Sequence, residues 1–144
     1  MSYTYKYPRP MVTVDALVFA DKGNKRQVLL INRKNPPFKN KWALPGGFVE
    51  MHESLEDAVV RELEEETGLK ISGFRQLQAF GKPNRDPRGR TISVVFIKLL
   101  EKPRPLNAGD DAAKAEWFRL SNLPALAFDH EEIIEEGLKS VSND

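Results

Sequence analysis

The chain contains no cysteine, which removes disulfides, thiolate metal sites and a cysteine nucleophile together. It has only two histidines, His52 and His130, and no serine–histidine–aspartate arrangement stands out around them. No apolar run approaches the roughly 18 residues that a membrane-spanning helix needs. The opening residues, MSYTYKYPRP, lack the apolar stretch of a secretory signal, so a cytoplasmic location is expected. An excess of one charge is also missing. The 22 Lys+Arg face 21 Asp+Glu, a formal net charge of +1, and no bulk attraction to nucleic acid is expected. With 144 residues, no repeats and no long linker, a single domain spanning 1–144 is expected.

What the chain does have is acid concentrated in one place. Gly47 to Leu69 reads GFVEMHESLEDAVVRELEEETGL. Ser54 followed three residues later by Asp57 has the form of a capping box and predicts a helix start at 54. Leu55, Val59 and Leu63 then recur every four residues as one buried stripe, and Gly68 is placed to stop the helix. On such a helix Glu62, Glu65 and Glu66 stand at i, i+3 and i+4, so their carboxylates share a side. Most glutamate runs are simply solvated helix faces. This one carries a penalty, because like charges at these spacings cost roughly 0.2–0.5 kcal/mol per pair. Acids in the last turn also oppose the helix dipole, by roughly 0.3–1 kcal/mol each. A hard cation such as Mg²⁺, which takes carboxylate oxygens, would explain the cluster. Gly46 and Gly47, just ahead of the helix, let the backbone turn sharply and come close to a ligand.

The spacing G-x5-E-x7-R-E-U-x-E-E-x-G-U, with U aliphatic, is complete here from Gly47 through Glu53, Arg61, Glu62, Leu63, Glu65, Glu66, Gly68 and Leu69. By average residue usage a chance match is on the order of 10^-10 per position. The stretch resembles the signature box of the Nudix hydrolases. That resemblance implies an α/β fold, an α/β/α sandwich with a mixed central sheet. It also implies hydrolysis of a nucleoside diphosphate derivative with Mg²⁺, or Mn²⁺ in its place. The implied metal set is Glu62, Glu65, Glu66 and the Gly46 carbonyl, while Glu53 and Arg61 orient the loop and the glutamates.

The rest of the chain fits that order. Met11–Ala20 and Val28–Asn32 read as strands around a turn at 21–24, and Arg33–Lys41 as a loop. Ile71–Phe80, Thr91–Leu100 and Glu116–Phe118 read as further strands. Asp129 is expected to cap a last helix through about Val141, striped by Ile133, Ile134, Leu138 and Val141. Between two strands lies a basic loop with Lys82, Arg85, Arg88 and Arg90, suited to phosphate oxygens and also readable as an ordinary hairpin loop. Arg33 is a further phosphate candidate. The segments 80–90, 108–112 and 127–130 are similar to bacterial ADP-ribose pyrophosphatases, which makes a small-molecule nucleotide the expected partner.

Asp110 and Asp111 precede Trp117 and could close over the metals, with Asp111 a candidate general base; a polar turn is the alternative, and a box glutamate could be the base instead. Phe80 or Phe128 could stack on adenine or belong to the core, and His130 is assigned chiefly to packing. The oligomeric state is open, a homodimer included. ADP-ribose cleavage to AMP and ribose 5-phosphate is the leading expectation. The rivals are an oxidised nucleoside triphosphate, a dinucleoside polyphosphate, or a non-catalytic ADP-ribose sensor. The sensor is disfavoured by the complete glutamate set and by a chain that ends just after the last helix.

Overall fold

Alternation along the first strand divides the molecule into layers. In β1 (Met11–Lys22), Val14, Ala16, Val18 and Ala20 join one buried cluster, while Leu17 and Phe19 join a second. Side chains of a strand alternate between faces, so the two clusters lie on opposite sides of one sheet. A strand buried on both faces loses its polar alternation, and VTVDALVFA does so. The computed structural model describes residues 2–107 and 114–142.

The remaining strands are β2 (Lys25–Asn32), β3 (Trp42–Ala43), β4 (Gly46–Phe48), β5 (Arg75–Phe80), β6 (Thr91–Leu100) and β7 (Ala115–Arg119). They form one mixed sheet ordered β3-β2-β1-β6-β5, with β4 also on β1 and β7 also on β2. β1 and β6 run parallel from Met11↔Thr91 to Ala20↔Leu100, and the other ladders are antiparallel. Helix α1 (Leu55–Thr67) covers one face through Ala58, Val59 and Leu63. Helix α2 (His130–Ser142) covers the other through Ile133, Ile134 and Val141. This is the expected α/β/α sandwich.

The start of β5 and the role of Asp129 differ from the sequence reading. β5 begins at Arg75 rather than Ile71, because Ile71 is buried in the α1-side core and Gly73 turns the chain at φ +75°. Asp129 does precede α2, and its backbone carbonyl accepts the Ile133 N–H at 3.1 Å. Its carboxylate, however, is engaged by Arg85.

Candidate active site

The end of α1 that carries the acids is fixed by local chemistry. Ser54 Oγ accepts the Asp57 N–H at 3.0 Å, and Gly68 stops the helix at φ +77° by donating to the Glu64 carbonyl. No basic residue lies in the last turn. β4 runs alongside β1, pairing Asp15 with Gly46 and Val14 with Gly47, which lays the double glycine against the helix. A Cβ on Gly47 would stand 2.5 Å from Glu62 Oε1, so a side chain there would displace that carboxylate from its place beside the strand.

Arg61 ties the helix to the preceding loop. Its guanidinium donates to both oxygens of Glu53, at 2.9 and 2.6 Å, and to Glu62 Oε1 at 2.9 Å. Glu53 also accepts the Glu50 N–H at 2.9 Å, so one carboxylate clamps loop and helix together. These bonds, the Arg61 guanidinium first, hold the Glu53 carboxyl down at about 2. Arg61 is pushed upward in turn, chiefly by Glu53.

The three box glutamates do not behave alike. Glu66 and Glu62 face each other, whereas Glu65 is more than half exposed and accepts from Arg61 Nη1 at 3.3 Å. Among the described residues no three acidic or histidine side chains gather as a ready metal cage. Arg61 Nη1 thus bonds two of the three box carboxylates, Glu62 at 2.9 Å and Glu65 at 3.3 Å, while Glu66 lies against Glu62. Glu66 Oε2 is buried with no hydrogen-bond partner. Burial, and then the Glu62 charge, push the Glu66 carboxyl well above its ordinary value, while the Gly46 N–H pulls it down. A buried, unpartnered carboxylate oxygen beside a second carboxylate fits a divalent cation.

Glu66, Gly46 and Gly47 line a cleft whose other walls hold Arg33, Arg88 and Phe128. Of the five expected substrate cations, the cleft takes three: Arg33, Arg85 and Arg88. Arg88 pairs with Asp86 at 2.7 Å and lies 5.0 and 5.4 Å from the centres of the Phe48 and Phe128 rings. Arg33 donates to the Pro37 carbonyl at 2.7 Å and also lies over Phe128, at 5.1 Å. Arg85 lines the cleft but is not a surface cation. Its side chain is 5% exposed and locked to Asp129 by two bonds of 2.9 and 2.6 Å. Lys82 points away, exposed and 3.4 Å from Glu132, and Arg90 lies on a separate depression of the same loop. Phe80 is core, whereas Phe128 lines the cleft together with Phe48. His52 is exposed, and Asp110 and Asp111 lie outside the described residues.

Sequence reasoning missed Asp15. It is 7% exposed on the floor of the cleft, where Ser93 Oγ donates a short hydrogen bond to its Oδ2. His130 Nε2 stands 3.8 Å from the same oxygen, and His130 Nδ1 accepts the Leu44 N–H at 3.0 Å. An acid in the middle of a mostly apolar run, VTVDALVF, was the available signal.

The NUDIX domain family matches residues 9–137. The chain belongs to this family. It is 53% identical over 133 residues to an ADP-ribose pyrophosphatase of Methanocaldococcus jannaschii, covering 92% of this chain and 76% of that one. It is 33% identical to the ADPR responsive transcriptional repressor NtrR of Acinetobacter baylyi, covering 95% of this chain but 56% of the repressor. The NUDIX domain of Shewanella oneidensis NrtR, solved with ADP ribose, superposes with a TM-score of 0.88 at 32% identity, over 96% of this chain and 94% of that one. With its signature complete, the chain is a Nudix pyrophosphohydrolase. No helix of the described residues is long and apolar enough to cross a membrane.

Proposed function

We propose that this Nudix enzyme hydrolyses the pyrophosphate of ADP-ribose, releasing AMP and ribose 5-phosphate, in a divalent-metal-dependent reaction. The observation that carries the reading is the meeting of Glu66, set against Glu62, with Arg33 and Arg88 in one cleft. Carboxylates and guanidinium groups sharing one cleft suit a metal-bridged diphosphate better than a neutral substrate. Glu62, Glu66 and the Gly46 carbonyl would hold the metal, with Glu65 joining once released from Arg61. Mg²⁺, or Mn²⁺, would supply charge neutralisation at the pyrophosphate and acidify the attacking water. Arg61 keeps Glu62 oriented, and Gly47 lets it stand beside β4. Arg88, already stacked between two rings, orients the diphosphate. The base is a box glutamate or Asp111.

Support for ADP-ribose in particular comes from the names of the relatives: one is a pyrophosphatase for it, and another was solved with it bound. A sensor reading draws on likeness to the repressor. The buried Glu66 favours turnover, because binding alone has no use for an uncompensated carboxylate. A panel of ADP-ribose, nucleoside triphosphates, NADH and dinucleoside polyphosphates with Mg²⁺ separates the readings. ADP-ribose is expected to give the highest kcat/KM, and binding without turnover would support the sensor.

A further inference from the structure

The cleft floor holds a polar group that neither the metal site nor a phosphate grip uses. Asp15, from the middle of β1, is a carboxylate set away from solvent in a cleft otherwise rich in guanidinium groups. Ser93 occupies one acceptor position on Oδ2, out of about four that a carboxylate offers, so acceptor capacity remains. His130 stands beside it at the start of α2. Its Nδ1 accepts the Leu44 N–H, which in a neutral imidazole leaves the proton on Nε2. Burial favours the neutral ring by pushing the His130 pKa down. Acceptor and donor thus lie 3.8 Å apart, too far to satisfy each other fully and close enough to serve one ligand edge.

The wall beside them is aromatic. The Phe128 ring lies 5.3 Å from the His130 ring, and the guanidinium groups of Arg33 and Arg88 already rest near its face. Phe128 holds φ +52°, a left-handed backbone that a bulky residue rarely adopts. The ring lines the cleft. A flat wall with a buried acceptor–donor pair at its foot matches a planar heterocycle read along one edge.

From this arrangement we propose that Asp15 and His130 form the base-reading end of the cleft and select adenine by its N6 amino donor and adjacent ring-nitrogen acceptor. The carboxylate accepts from the amino group, and His130 Nε2–H donates to the ring nitrogen. A 6-oxo purine in the same pose would turn its carbonyl oxygen toward the carboxylate and its N1–H toward His130, a mismatch at both positions. The proposal deepens the ADP-ribose reading, and rests on it for the substrate but not for the ligand edge.

The test compares AMP with IMP by calorimetry on the whole chain with Mg²⁺, alongside turnover of ADP-ribose and its hypoxanthine analogue. AMP is expected to bind roughly 10- to 100-fold more tightly than IMP. Asp15→Asn, whose amide can donate, is expected to abolish that preference and to raise KM for ADP-ribose more than it lowers kcat. Equal affinities of the unmodified chain for AMP and IMP overturn the proposal, whether or not the variant folds. So does an Asp15→Asn chain that loses both ligands equally, which would make the residue a sugar contact or a packing element. If AMP is preferred over IMP but ADP-ribose is not hydrolysed, the base reading stands and the substrate assignment falls.

Discussion

Glu66 is held where a carboxylate is costly: Oε2 is shut from water, and Glu62 lies alongside. A raised folded pKa makes the ionised group destabilising, a cost absent at low pH that grows as pH rises from the ordinary value of 4.5 through the folded one. Glu66→Gln should therefore stabilise the metal-free protein at pH 8 and change little at pH 4, as thermal melts in chelator will read. The same variant should lower kcat by about 100-fold or more, since it removes the proposed metal ligand. Glu53 has the opposite sign. Its folded pKa of about 2 gives stability that is present above 4.5 and lost as pH falls from there toward 2. The difference in melting temperature between the native chain and Glu53→Gln should narrow over that window. The basic loop separates into roles that its sequence did not show. Arg88→Ala should raise KM for ADP-ribose by about 10-fold, whereas Arg90→Ala, outside the cleft, should change it by less than about twofold.

Helix α2 depends on close approach at a single position. A Cβ on Gly137 would stand 2.1 Å from Leu17 Cδ2 and 3.4 Å from the Phe19 ring, both in the packed core beneath it. Gly137→Ala should cost about 1–3 kcal/mol in denaturant unfolding, because the helix must lift from the sheet. His130 begins the same helix and holds the Leu44 N–H, so that shift should also raise KM. At this scale the sequence was largely readable. The capping residues and the four-residue stripe placed α1 correctly, and the apolar run from Met11 marked β1 as a strand. β3 and β4 were not readable, because two- and three-residue strands carry no periodicity and exist only through their pairing to β2 and β1. Nor was the fate of Arg85, whose partner Asp129 lies 44 residues away and looked like a helix cap.

Taken whole, the molecule uses its mixed sheet to bring distant chain segments to one cleft: β1 supplies Asp15, β4 the two glycines, α1 Glu66, and the start of α2 supplies His130. The catalytic end could be read because the signature is contiguous in sequence. The floor could not, since Leu44 and His130 are 86 residues apart and Asp15 and Ser93 are 78 apart. Which nucleotide fills the cleft decides the account. The most direct measurement is kcat/KM for the purified chain with Mg²⁺ across ADP-ribose, nucleoside triphosphates, NADH and dinucleoside polyphosphates. ADP-ribose should lead, with AMP and ribose 5-phosphate as products. A nucleoside triphosphate that is preferred by about tenfold or more, a difference near 1.4 kcal/mol in transition-state binding, would contradict it.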